Sequence, residues 1–184
     1  MSLECCPRVD DRGACFSESR KYRYGLWRRW KKSGPWVTFL MLNPSLADIE
    51  HSDPTVKRCE MFSQKWGFAG IEVVNVFGSI SPYPEDLRGR RNPVEHLKGL
   101  NDEHIRLAAE RSEFVVAAWG TNVDHPKLEK RMDGIRVLLA DFDVRALRVT
   151  KNGHPSHPLY LPANLTAQSY HVGLAFDARE VGYE

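Results

Sequence analysis

Residues 36–42 read WVTFLML, a short apolar run closed by Pro35 on one side and Asn43-Pro44 on the other. A run of this length between turn residues is expected to be a strand buried on both faces. A second such run is IEVVNVF at 71–77. Helix signals separate the two. Asp53 stands where an N-cap is wanted, and Pro54 takes the first helical position. Val56, Cys59 and Phe62 (or Met61) follow at helical spacing, and the stretch ends near Trp66-Gly67. Working outward, a helix is expected near 100–111, a third strand at 114–118, and a helix from Pro126. Leu128, Met132, Ile135 and Leu139 form that last helix's buried stripe. VRALRV at 144–149 reads as a fourth strand, at an edge, because arginines interrupt its alternation. Strands alternating with helices imply a parallel sheet covered on both faces, with right-handed crossovers. The expected class is therefore a three-layer α/β/α fold around a central four-stranded, mainly parallel sheet.

Upstream, residues 20–32 (RKYRYGLWRRWKK) carry seven basic side chains and no acidic one, interleaved with Tyr22, Tyr24, Trp27 and Trp30. Tyr22, Tyr24 and Leu26 share one face at period two, which predicts an N-terminal basic-aromatic strand or hairpin. Residues 1–15 read as an irregular, flexible N-terminus. Residues 16–184 are expected to form a single α/β domain, as the 184-residue length allows. Apolar residues at 42% and charged residues at 27% exclude disordered and collagen-like classes. No apolar run reaches the roughly 20 residues of a membrane span, and the N-terminus lacks a secretory pattern. A cytoplasmic protein is the default. The four cysteines, at 5, 6, 15 and 59, show no C-x-x-C spacing, so free thiols are expected and no metal or other cofactor is assigned.

In open α/β sheets a ligand sits beyond the carboxyl ends of the strands, at the topological switch point. The segments that follow the four strands are Asn43-Pro44-Ser45, Asn75-Val76-Phe77, Trp119-Gly120 and the His154-Pro155-Ser156-His157 loop. Asn43 is either a site residue or a loop cap. An amide inside VVNVF must find partners if buried, so Asn75 either serves a ligand or bridges backbones. Phe77 and Trp119 are candidate walls of a base pocket. His154 and His157, with prolines between and after them, read better as a donor or acid than as metal ligands. Asp48 is a candidate base. Asp53 reads mainly as a helix cap. Arg58 is grouped with the substrate contacts, with an ion pair to Asp48 as its structural alternative. Arg23, Arg28, Arg29 and Lys31 either track phosphates or snorkel from an amphipathic strand.

Two resemblances arise at these residues. RYRYGLWRRW, MLNPSLAD, DPTVKR, VVNVF, AAWG and GHPSHPLY, spread over roughly 20–162, resemble the bacterial and phage domain-of-unknown-function family 1643. That resemblance implies no activity. More distantly, the order of boxes is similar to the uracil-DNA glycosylase superfamily. There an Asn-Pro or Asp-Pro box follows the first core strand, as Asn43-Pro44 does. An Asn that reads the base matches Asn75, and a His-Pro-Ser loop matches His154-Pro155-Ser156, with His157 as the favoured counterpart. Leu42 departs from the residues usual before that first box, and no match exists for iron–sulfur cysteines.

The resemblance implies a uracil-DNA glycosylase-like fold. It also implies an N-glycosidase-like hydrolase that flips and excises a base from nucleic acid. Asn43 would position water, Asn75 would read the base, and His157 or His154 would stabilise the leaving group. The expected partner is a nucleic acid or nucleotide, with no membrane. The alternatives are a non-catalytic module that binds a nucleotide or modified base, and a metal-dependent nucleotide hydrolase using Asp48, His51, Asp53 and His157.

Overall fold

A computed structural model describes residues 10–45, 47, 50–95, 97–123 and 126–172. Strand β3 is Trp36–Met41, and its parallel neighbour β4 is Gly70–Asn75, linked by helix α1, Pro54–Lys65. Asp53 caps α1 as its sequence signals require: Oδ1 accepts the Val56 N–H at 2.8 Å. A short helix α2 (Asp86–Gly89) and helix α3 (Leu100–Glu110) lead to β5, Val115–Ala117, on the other side of β3. Helix α4 (Pro126–Leu138) returns the chain to β6, Val144–Ala146, parallel to β5.

Alternate strand residues feed two cores, as the pleat dictates. On one face Leu40, Val74 and Val76 meet Ile105 of α3 and Leu128 and Ile135 of α4. On the other, Val37, Phe39, Ile71 and Val73 meet Val56, Cys59 and Phe62 of α1. The α/β class and its helices on both faces therefore follow from the apolar runs.

The sheet is larger than the four strands expected. It has seven, in the order β1 (Arg12–Phe16), β2 (Arg23–Arg29), β4, β3, β5, β6 and β7 (Gln168–Ser169), and it is mixed. β2 lies antiparallel on β4, and β1 lies antiparallel on β2. β7 pairs antiparallel with β6, so β6 is not the edge.

The expected boundary at residue 16 thus falls too late, because Arg12–Cys15 already belong to the sheet; residues 1–9 lie outside the described residues. β1 was hidden because its sequence carries no apolar alternation. It needs Gly13: a Cβ there would lie 1.9 Å from the Trp27 ring, so β1 crosses directly over the indole. The expectation of free thiols holds for buried Cys59, whose pKa is pushed up by burial and then by Asp53 and Glu60. Cys15, by contrast, is disulfide-bonded. Among the described residues, no helix is long and apolar enough to cross a membrane.

Candidate functional site

The chain steps from β3 to β4 on one side and later to β5 on the other, so β3 marks the switch point. A cavity of about 510 Å³ opens at the carboxyl ends of these strands. Its floor and walls come from the segments after β3 (Asn43, Ser45), β4 (Asn75), β5 (Trp119, Gly120) and β6 (Arg148, Thr150). The start of α1 adds Asp53 and Thr55, and the loop before a single 3₁₀ turn, Pro158–Tyr160, adds Ser156 and His157.

Asn75 is the last residue of β4 and is 1% exposed. Neither its Nδ2 nor its Oδ1 has a hydrogen-bond partner. Its backbone, by contrast, is fixed: the amide of Asn101 on α3 donates to the carbonyls of Asn75 at 2.9 Å and Val76 at 3.2 Å. Arg131 of α4 adds Nε to the Val76 carbonyl at 2.9 Å. Two helices thus hold the strand end still while the Asn75 amide keeps a donor and an acceptor unspent.

Asn43 spends its donors on the loop. Nδ2 donates to the carbonyls of Ser81 at 2.8 Å and Pro44 at 3.2 Å, which leaves Oδ1 as the atom available to a ligand. His157 turns its Nδ1 onto the Leu159 N–H at 3.3 Å. A neutral ring that accepts at Nδ1 carries its proton on Nε2. Burial pushes the His157 pKa down, and the Asp53 carboxylate opposes that shift. Gly120 sits at φ +75°, and a Cβ there would lie 3.7 Å from that of His157. Trp119, 3% exposed, is braced edge-on by Tyr170 at 6.0 Å.

Arg148 is exposed at the rim and has no carboxylate partner among the described residues. Sequence reasoning missed it, having read VRALRV only as an edge strand. It also undervalued Asp53, which lines the cavity and whose cap uses one carboxylate oxygen. Asn101 gave no signal beyond being polar in an amphipathic helix.

Residues 23–159 match a family model described as Protein of unknown function (DUF1643). The chain belongs to DUF1643. The DUF1643 segment opens on the first residue of β2 and covers every cavity residue except Tyr160 and Leu161. No curated protein and no solved structure matches the chain. The likeness to uracil-DNA glycosylases therefore stands on the sequence boxes alone.

Several expected site residues lie elsewhere in the DUF1643 fold. Phe77 is 1% exposed within the core beside α3, and Pro44 is buried behind the loop, its carbonyl taken by Ser81. His154 lies outside the cavity, in a turn whose backbone pairs with Thr150. Asp48 falls outside the described residues.

Arg58 works on the back of α1. It donates to the Leu161 carbonyl, while Lys65 reaches Ala163 at 3.1 Å and Trp66 reaches Leu165 at 3.2 Å. Of the four basic residues expected to track phosphates, Arg23 alone lines the cavity, 2% exposed and donating to the Ala47 carbonyl at 2.5 Å. Arg28 bonds Ser52, Arg29 pairs with Asp11, and Lys31 takes the Gly67 carbonyl. β2 lies inside the sheet, between β1 and β4, which buries Arg23 and Arg28; Arg29 at its end is half-buried, and Lys31, beyond the strand, is exposed. Among the described residues, no group of three or more His, Cys, Asp or Glu side chains is placed to hold a metal ion.

Proposed function

We propose that this cavity binds a nucleobase and that the protein is an N-glycosidase-like hydrolase of a nucleoside unit. The observation that carries the reading is Asn75. Burying a polar group without a partner costs about 1–3 kcal/mol, and here both ends of one amide are left so on a fixed strand end. A primary amide offers one donor and one acceptor side by side, which is what the amide edge of a base requires.

The chemistry follows from the neighbouring groups. Breaking the bond between C1′ and the base nitrogen sends the electron pair to the base and leaves an oxocarbenium-like sugar. The Nε2–H of His157 would meet the charge developing on the base. Asp53 would face the cationic sugar and take a proton from the attacking water, whose oxygen forms the new bond to C1′. The Oδ1 of Asn43 would orient that water. The Trp119 ring would wall the base plane. If the unit belongs to a strand, the base must leave its stack to enter.

A second reading is a module that binds the base without cleaving it. It is favoured by the fact that Asn43 commits its amide hydrogens to loop carbonyls and no carboxylate stands in its place. One experiment separates the two. Purified protein in chelator is incubated with oligonucleotides bearing uracil, other deaminated bases and modified pyrimidines, and abasic sites are cleaved with alkali. Strand breaks lost in Asn75→Ala and Asp53→Asn support the hydrolase. Binding without breaks supports the module. Neither breaks nor binding with these strands, together with no binding of the free nucleosides and nucleotides, overturns both readings.

A further inference from the structure

We propose that Arg148 is the seat of a phosphate ester, so that the ligand is a phosphorylated nucleoside unit rather than a bare nucleoside; this rests on the base-binding reading above. Among the described residues that line the cavity, the formally charged ones are Arg23, Asp53 and Arg148. Arg23 is 2% exposed and turned onto the Ala47 carbonyl. Asp53 is engaged by the start of α1. Arg148 is exposed and has no ion-pair partner among the described residues, so its guanidinium is the cation the cavity leaves open. Guanidinium forks match phosphate oxygens in shape and charge.

The backbone under Arg148 is built to hold it in place. Its carbonyl accepts the Ser156 N–H at 2.8 Å, Val149 bridges to Pro155, and Thr150 donates its N–H to the His154 carbonyl at 2.8 Å. Arg148 and Thr150 are two apart on this extended segment, so they share a face, and both line the cavity. The Thr150 Oγ1 accepts the His154 N–H at 3.2 Å, which leaves its O–H to donate. Thr121, from the β5 exit, adds a further hydroxyl on the same side.

Spacing fits the assignment. Asn75 ends β4 and Arg148 follows β6, and the order β4-β3-β5-β6 puts three strand spacings between them, about 14 Å. A base on Asn75 does not bridge that gap alone. A base, a pentose and a phosphate do, with the guanidinium reaching inward. The pentose then lies between the two anchors.

Calorimetric titration tests this. The probes are the common 2′-deoxynucleosides, 2′-deoxyuridine included, their 5′-monophosphates, and short single strands of the same bases at two salt concentrations. For the preferred base, the wild-type protein should favour the monophosphate over the nucleoside by about tenfold or more. Arg148→Gln should collapse that ratio toward one, and Arg148→Lys should restore part of it. Asn75→Ala should weaken both ligands while keeping the ratio. A single strand that binds more tightly than the monophosphate, with a steeper salt dependence, identifies a strand phosphate; the opposite identifies a free nucleotide; both support the proposal. Equal binding of nucleoside and monophosphate, or an unchanged ratio in Arg148→Gln, overturns it and leaves the base reading standing. No binding of any probe overturns both.

Discussion

Two buried asparagines should respond to the same substitution with opposite signs. Asn75 is 1% exposed and both its amide atoms are orphaned, whereas Asn101 is fully buried with only its Oδ1 orphaned and its Nδ2 serving two backbone carbonyls. Leucine is close to asparagine in shape. Asn75→Leu removes a desolvation cost of about 1–3 kcal/mol without breaking any bond. For a chain of this size each kcal/mol moves Tm by about 2–4 °C, so a rise of roughly 2–12 °C is expected. Asn101→Leu relieves the orphaned Oδ1 but takes its donor from the Asn75 carbonyl, while the Val76 carbonyl keeps the Arg131 Nε, and it should lower stability by about 1 kcal/mol. Thermal unfolding followed by circular dichroism reads both. The same Asn75→Leu protein should lose any nucleotide-induced rise in Tm. A fall in Tm for Asn75→Leu, comparable to that for Asn101→Leu, would show that the Asn75 amide is structural, and the base reading would lose its foundation.

Three further outcomes are expected. His104 is buried, stacked on Tyr24 at 5.3 Å and 3.8 Å from the Cys15 Sγ, and burial, helped by Arg111, pushes its pKa down to about 4. Its neutral form is favoured by folding, so its contribution is intact above about pH 6.5 and is lost as the pH falls toward 4. Denaturant titrations should show a loss of about 3 kcal/mol over that window, and His104→Gln should flatten it. Asp53→Asn keeps a competent helix cap but removes the charge that favours the His157 imidazolium, so the His157 midpoint should move further below 6.5 in an NMR titration; an unmoved midpoint would mean the two groups do not communicate. Gly78→Ala sets a Cβ 2.7 Å from the Val94 carbonyl oxygen, which should force the 79–95 loop off the sheet and cost about 1–3 kcal/mol in chemical denaturation; no loss would mean the loop yields freely.

The central strands and helices were legible because their signals are local. WVTFLML and IEVVNVF announce burial by composition, and Asp53-Pro54 announces a helix start that the Val56 N–H then uses. Their carboxyl ends pointed to Asn43, Asn75, Trp119 and His157, which the switch point of the sheet gathers at one cavity. What sequence could not show is who sits beside whom across the sheet. β1 depends on Gly13 clearing Trp27, and β7 is two residues long, so neither leaves a period to read. The basic strand misled for the same reason. A row of cations reads as surface, but Arg23 and Arg28 are buried, and Ser52, Asp11 and Gly67 supply partners to Arg28, Arg29 and the exposed Lys31. Arg148 was the converse: an arginine read as strand interruption, standing at the rim with its charge uncommitted.

The three side chains that α1 and its C-cap residue lay on residues 161–165 have a consequence for how that segment will look in solution. Arg58, Lys65 and Trp66 take the carbonyls of Leu161, Ala163 and Leu165, as a neighbouring strand would, but they supply no acceptor to the segment's N–H groups. The N–H groups of Ala163, Asn164 and Leu165 have no acceptor among the described residues. Geometric fixity and isotope protection therefore part company here. The segment should give rigid relaxation order parameters on the fast timescale, yet its amides should take up deuterium at nearly the rate of an open chain. A deuterium map taken alone would mark as loose the strap that ties α1 to the chain leaving the His157 loop.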